Sequence, residues 1–337
     1  MSMTLVIAEK PSVGRDLARV LGCRERQDGY MRGSDGWCVT WAIGHLVSLC
    51  EPEELSTVYR KWRMSDLPIL PETIPLKILP KTKGQFRIIE QLMKEADDLV
   101  CATDAGREGE LIFRYVYQMA GCTKPVRRLW ISSMTDEAIR EGFASLRPES
   151  AYDALYQSAR CRSEADWLVG MNASRAFTLR YQALLSIGRV QTPTLQILVK
   201  RRQEMEAFTV KPYFVIVASF GDYTGVYWDP ATEEKRVYTE ASAQEIAQAI
   251  RGAQATVAQV TSEIKRELPP QLYDLTSLQR DANRLLGFTA QRTLQTAQSL
   301  YETHKLLTYP RTDSKYLPHD MAARTRKAME TLPATLQ

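Results

Sequence analysis

Three groups of residues in this chain have the types and spacing for phosphate chemistry. Glu9-Lys10 directly follows the apolar run Thr4-Leu-Val-Ile-Ala8. Asp104-Ala-Gly-Arg107-Glu108-Gly-Glu110 directly follows Leu99-Val-Cys-Ala-Thr103. Both runs read as short buried strands, so each acidic cluster falls at a strand's carboxyl end. In an open α/β sheet, ligands gather there. Carboxylates from two such ends offer hard oxygen ligands to Mg2+, which binds through few carboxylates and keeps waters for a phosphate. Strand-end carboxylates also commonly face solvent or cap the next helix, and either cluster alone reads that way. A basic neighbour beside each, Lys10 and Arg107, weighs toward the metal reading.

The third group is Leu307-Thr-Tyr309-Pro310-Arg311-Thr-Asp-Ser314. Pro310 biases Tyr309 toward an extended backbone. A tyrosine held in a loop beside an arginine can attack phosphorus, although its free pKa of about 10 requires nearby positive charge. A buried core tyrosine is the plain alternative. Ser186-Ile-Gly188-Arg189-Val190-Gln191-Thr-Pro193 could donate to a phosphodiester backbone. It reads equally well as a turn before a helix starting near Pro193.

The elements that must position these groups follow from periodicity. Residues 1–150 alternate strands (4–8, 39–43, 99–103) with helices (11–21, 85–96, 107–119), which favours a mostly parallel sheet. Pro68 to Pro80 holds four prolines and reads as an extended surface connection. Residues 151–206 read as helices, 213–228 as antiparallel strands, 241–252 as a surface helix and 256–260 as a strand. From Leu275 on, apolar spacing is helical. Gly287-Phe-Thr289 then breaks it before a second helix, a pattern like a helix-turn-helix.

Composition excludes little beyond the extremes. Of 337 residues, 44% are hydrophobic and 25% charged, which argues against a disordered, collagen-like or coiled-coil chain. No apolar run is long enough for a transmembrane helix, and the first residues lack a leader's pattern. The six scattered cysteines fit reduced thiols in a cytoplasm better than a disulfide framework, and none forms a C-x2-C pair for zinc. The net charge of +4 is partitioned: residues 151–212 and 276–337 each carry +4, and the remainder carries −4.

Five motifs in order resemble the type IA DNA topoisomerases, within them the topoisomerase III branch. They are Ile7-Ala-Glu9-Lys10-Pro-Ser12, Ala102-Thr-Asp104-Ala-Gly-Arg-Glu108-Gly-Glu110, Asp166-Trp-Leu-Val-Gly-Met-Asn172-Ala-Ser-Arg175, Ser186-Ile-Gly-Arg-Val-Gln-Thr-Pro193 and Thr308-Tyr-Pro-Arg-Thr-Asp-Ser314. The resemblance implies a multidomain α/β plus α fold. Residues 1–150 would be a Toprim domain, 151–206 a helical DNA-gripping segment, 207–275 a β-rich arch segment, and 276–337 the start of the helical domain carrying the active-site tyrosine. It implies Tyr309 as nucleophile forming a 5′-phosphotyrosine link, with religation that needs no ATP. Consistent with that, there is no G-x4-G-K-[ST] run. Glu9 would be the general acid/base or a metal ligand. Asp104 and Glu108 would hold Mg2+ with it, and Lys10 and Arg311 would stabilise phosphoryl charge. Trp62, Arg162, Arg175, Ser186, Gly188, Arg189, Val190 and Gln191 would hold single-stranded DNA with little sequence specificity. A cytoplasmic, bacterial-type setting with no membrane and no nucleoside triphosphate partner is expected.

Two departures stand out. Family members often carry D-x-D-x-E, whereas Gly106 occupies the middle position here. The chain also runs only 28 residues past Tyr309, so it is expected to be an N-terminal piece or a naturally short relative. None of His45, His304 and His319 obviously replaces the histidine the family places near its site from farther along. Two alternatives remain: a Toprim nuclease- or primase-like enzyme, and a non-catalytic single-stranded-DNA-binding fragment whose affinity falls with salt.

Overall fold

The computed structural model describes residues 2–331 apart from 132, 133, 303, 305, 318 and 320. It divides into two compact units, residues 1–189 with 270–337, and residues 190–269.

The first unit is organised by a seven-stranded sheet. Its elements in chain order are β1 (Thr4–Ala8), α1 (Pro11–Val20), β2 (Glu25–Gln27), β3 (Tyr30–Arg32), β4 (Trp37–Trp41), β5 (Val47–Leu49), α2 (Pro52–Leu55), β6 (Leu76–Ile78), α3 (Lys83–Glu95), β7 (Asp98–Ala102), α4 (Arg107–Met119), β8 (Val126–Arg128), α5 (Asp136–Ala144), β9 (Arg147–Pro148) and α6 (Asp153–Tyr181). The strand order is β2-β3-β4-β1-β7-β8-β9. The central pairs β4-β1, β1-β7 and β7-β8 are parallel, and the outer pairs are antiparallel. β5 and β6 pair separately.

Alternation along the central strands builds a core on each face. Leu5, Ile7, Leu99 and Cys101 face Phe86 and Ile89 of α3, Leu111 and Ile112 of α4, and Trp167 of α6. Val6, Ala8, Val39, Val100 and Ala102 face Leu17 and Ala18 of α1 and Ile139 of α5. Strands buried on both faces read as continuous apolar runs, which is why β1 and β7 are visible in the sequence.

The helix expected over 107–119 forms with those bounds. The strands β2, β3, β5, β6, β8 and β9 were not anticipated. Each is three residues or fewer, too short for a period to register. The proline-rich connection is not simply surface. It contains β6, and Ile69 within it is buried.

Later in the chain the first unit adds α9 (Leu275–Leu286) and α10 (Ala290–Glu302), joined across Gly287 at φ 66°, and α11 (Met321–Glu330). The left-handed backbone at Gly287 ends α9, as glycine at a helix C-terminus commonly does.

The second unit holds α7 (Gln191–Glu206), an antiparallel hairpin of β10 (Val217–Ser219) and β11 (Thr224–Val226), and α8 (Glu240–Ile250). The strand expected over 256–260 is not formed. Those residues are exposed and pair with no strand among the described residues, and a strand without a ladder partner leaves its backbone groups unpaired.

Candidate active site

The register of the sheet brings the two acidic clusters together. β1 and β7 pair in parallel with Ala8 opposite Ala102, so the residues that follow each strand leave the sheet side by side. The backbone N–H of Asp104 donates to Glu9 Oε2 at 3.1 Å. Lys10 Nζ lies 3.4 Å from Asp104 Oδ2 and 3.9 Å from Glu9 Oε1. Burial, and then the charge of Asp104, push the Glu9 carboxyl above its ordinary range, with Lys10 opposing them.

Tyr309 reaches the same place from 299 residues further along the chain. Lys10 Nζ donates to Tyr309 Oη at 3.0 Å and stands 4.5 Å from the centre of its ring. Burial works against the Lys10 charge, but Tyr309, Asp104 and Glu9 outweigh it and hold its pKa above normal. The Tyr309 loop is anchored to α9, whose first residue, Leu275, donates its N–H to the Thr312 carbonyl at 3.1 Å. The Tyr301 ring from α10 meets the Tyr309 ring edge-on at 5.6 Å.

The remaining candidates divide. Glu108 is exposed and stands 2.6 Å from His45 Nε2 rather than with Glu9 and Asp104. Among the described residues, no cluster of three or more His, Cys, Asp or Glu side chains forms. Arg311 is exposed and makes no described hydrogen bond to Glu9, Lys10 or Asp104. The Glu9–Asp104 pair does fit a hard divalent cation. Two carboxylates share one half-buried site against a single ammonium, and burial and Asp104 already disfavour the charged form of Glu9.

Along α6, the residues of the Asp166–Arg175 motif pin the chain to the helix. Trp167 Nε1 donates to the Cys50 carbonyl, and Asn172 Nδ2 donates to the Ile69 carbonyl. Arg175 is buried. It donates to the Tyr59 carbonyl at 2.9 Å and to Glu53 Oε1 at 2.7 Å, and its guanidinium covers the Trp62 ring at 4.9 Å. Residues 183–189 fold back along the same helix. Leu185 and Ile187 exchange hydrogen bonds with Thr178 and Ser174, and Ser186 and Gly188 lie on this returning stretch. The stretch delivers Arg189 to Asp166, Nε to Oδ1 at 2.6 Å, and Arg189 draws the Asp166 carboxyl below its usual range. Arg162 is exposed one turn before Asp166. In the second unit, Val190 precedes α7 and Gln191 opens it. Beside Glu108, a groove of about 260 Å³ is lined by His45, Ser48, Glu51, Tyr115, Ser163 and Trp167.

A Toprim domain model matches residues 4–134. A DNA topoisomerase model matches residues 150–336, more than half of the chain. The chain belongs to the type IA DNA topoisomerase family. It is 47% identical to DNA topoisomerase 3 of Bacillus subtilis over 332 residues, covering 98% of this chain and 46% of that protein. It is 45% identical to DNA topoisomerase 3 of Bacillus cereus over 339 residues, covering 100% of this chain and 45% of that protein. The topoisomerase-family chain thus spans about half the length of these relatives. Full-length topoisomerase I from Thermotoga maritima shares its fold, with a TM-score of 0.65 at 22% identity over 97% of this chain and 52% of that one.

Sequence reasoning missed three residues that touch the candidate site residues: His45, Arg128 and Tyr301. Nothing local distinguishes them. A strand-end arginine, a helical tyrosine and a lone histidine are common surface or core residues, and each gains meaning only from a partner distant in the sequence.

Proposed function

We propose that this protein is an ATP-independent type IA topoisomerase. In this reading it cuts single-stranded DNA through a 5′-phosphotyrosine link, passes a strand and reseals the break, relaxing or decatenating DNA. The observation that carries the reading is Lys10 Nζ, which joins Tyr309 Oη to the paired carboxylates Glu9 and Asp104. In the cutting step, Tyr309 Oη bonds to phosphorus as the bond to the 3′ oxygen breaks. The phenol gives up its proton to solvent water, and the leaving 3′ oxygen takes one from Glu9. One phosphoester replaces another, so resealing needs no ATP.

Lys10 supplies positive charge at the attacking oxygen, and Arg311 serves the phosphoryl oxygens once DNA is bound. Asp104 and Glu108, with Glu9 when it is ionised, are the carboxylates proposed to hold Mg2+. When bound, the ion would supply positive charge for the phosphates. Trp62, Arg162, Ser186, Gly188, Arg189, Val190 and Gln191 are proposed to grip the strand, with Arg175 setting Trp62 in place. Phosphate contacts and base stacking of this kind give little sequence preference. In the same reading, residues 1–150 are the Toprim domain, 151–206 the gripping segment, 207–275 part of the arch, and 276–337 the start of the tyrosine domain. The setting is a bacterial cytoplasm or nucleoid, and no helix of the described residues is long and apolar enough to cross a membrane.

The test is incubation of the intact gene product with negatively supercoiled plasmid and Mg2+ without ATP. Stepwise relaxation and a covalent DNA adduct are expected. Tyr309→Phe should abolish the adduct and leave single-strand binding nearly intact. An adduct that survives in this variant would identify a different nucleophile, whereas metal-dependent cutting or priming that survives it would favour a Toprim nuclease- or primase-like enzyme.

A further inference from the structure

Behind the carboxylates lies a buried ion pair that the cutting step does not use. Arg128 ends β8, and its side chain is wholly enclosed together with that of Glu110 from the first turn of α4. Arg128 Nε donates to Glu110 Oε2 at 3.1 Å. A buried pair of this kind adds little net stability, because desolvation offsets attraction, so stability alone does not account for it.

The other guanidinium donors go to the carboxyl end of β7 and the residues just after it, and to the carbonyl that follows Arg128. Nη1 reaches the carbonyls of Cys101 at 3.0 Å, Thr103 at 2.8 Å and Leu129 at 2.9 Å. Nη2 reaches the carbonyl of Asp104 at 2.7 Å. The β7–β8 ladder ends at Cys101 opposite Arg128, so the Thr103 and Asp104 carbonyls lie beyond its last register pair. Arg128 serves them in place of a strand. Asp104 is therefore held through its carbonyl by Arg128 and through its N–H by Glu9. Through Glu110, the same guanidinium ties down the α4 turn that bears Glu108. The Trp130 ring covers it at 5.2 Å.

We infer that Arg128 is a positioning residue that fixes the Asp104 backbone, and so the spacing of the carboxylates that receive the divalent cation. This rests on the topoisomerase reading. A fork that grips several carbonyls at once is a property of arginine that lysine lacks. Arg114 provides the internal control. It shares Glu110, Glu149 and Asp153 but makes no contact with Asp104.

The experiment measures Mg2+ binding to the whole protein by calorimetry, single-strand binding by anisotropy, and thermal stability. The unmodified protein, Arg128→Lys, Arg114→Lys and the charge-neutral double variant Arg128→Met/Glu110→Gln are compared. Loss of a residue that orients metal ligands typically weakens metal affinity about 10- to 100-fold. That loss is expected for Arg128→Lys and for the double variant, with oligonucleotide affinity unchanged, while Arg114→Lys lowers stability and leaves Mg2+ affinity as it was. The double variant removes both buried charges, so it keeps the question answerable if Arg128→Lys fails to fold. Mg2+ affinity that is unchanged in a folded Arg128 variant, or equally weakened by Arg114→Lys, overturns the assignment. If the unmodified protein neither binds Mg2+ nor forms an adduct, the functional reading falls and takes this assignment with it.

Discussion

The two halves of the candidate site are built in opposite ways. Glu9 and Asp104 leave parallel strands buried on both faces, and Asp104 is held by hydrogen bonds through both its N–H and its carbonyl. Tyr309 sits in an irregular, largely exposed stretch, 306–317, whose described ties include the Leu275–Thr312 and Leu306–Leu300 backbone hydrogen bonds, the Gln271–Tyr316 hydrogen bond, the Lys315–Asp274 ion pair, the Tyr301 ring and Lys10 itself. Elements with few buried contacts open at lower free energy than core strands. The proposed acid and metal ligands are thus fixed, while the proposed nucleophile rides on the part that can separate from them. The strand passage proposed above would need such a division, since the covalently bound end must move away and return to the same carboxylates.

Lys10 joins the halves, so its loss should give the largest effect. Removing one preorganised donor from a developing charge costs about 10²- to 10³-fold in rate. Lys10→Met should lower the rate of adduct formation by that factor in single-turnover assays, with the thermal transition nearly unmoved because Lys10 is a third exposed. A wild-type rate in this variant would mean that the contact with Tyr309 plays no part in chemistry.

Next come substitutions within the rigid half. Leu99 is fully buried in β7, and a buried Leu→Ala change costs about 2–5 kcal/mol. Leu99→Ala should show that loss in denaturant unfolding. Gly109 tests the same half more finely. A Cβ there would collide with the Asp104 carbonyl, and Thr103 Oγ1 already donates to the Gly109 carbonyl at 2.8 Å. Overpacking of this kind costs about 1–3 kcal/mol. Gly109→Ala should therefore destabilise less than Leu99→Ala yet reduce adduct yield more, because it displaces Asp104. If the ranking of adduct yields is reversed, the strand end does not need its observed position.

The sequence makes the rigid half legible and hides most of what steadies it. Glu9, Lys10 and Asp104 are readable because parallel strands of equal length deliver the residues after them to one place. Tyr309 is readable only through the motif around it, and its arrival at Lys10 depends on contacts 299 residues apart. The resemblance gives Arg175 a part in holding DNA, but its side chain is buried on partners, Glu53 and Tyr59, that lie more than 100 residues earlier, and it covers the Trp62 ring. Glu108 reads as a third ligand, and its contact with His45 has no local signature. The Arg128–Glu110 pair is invisible for the same reason: charged residues on a short strand and a first helical turn look like surface.

The mildest test compares thiols. Burial pushes Cys23, Cys38 and Cys101 up to about 11, and all three lie in the sheet unit's core, Cys101 on β7 itself. Cys161 on α6 is exposed. The thiolate is the reactive form, and both burial and a raised pKa suppress it. At pH 8, iodoacetamide should therefore label Cys161 within minutes and leave Cys23, Cys38 and Cys101 unlabelled until the sheet unfolds, as read by peptide mass spectrometry. Labelling of Cys161 should leave adduct formation unchanged, because the residue takes no part in the proposed site. Rapid labelling of Cys101 in the native protein would show that the carboxyl end of β7 opens readily. The contrast between a fixed set of carboxylates and a movable tyrosine would then be lost.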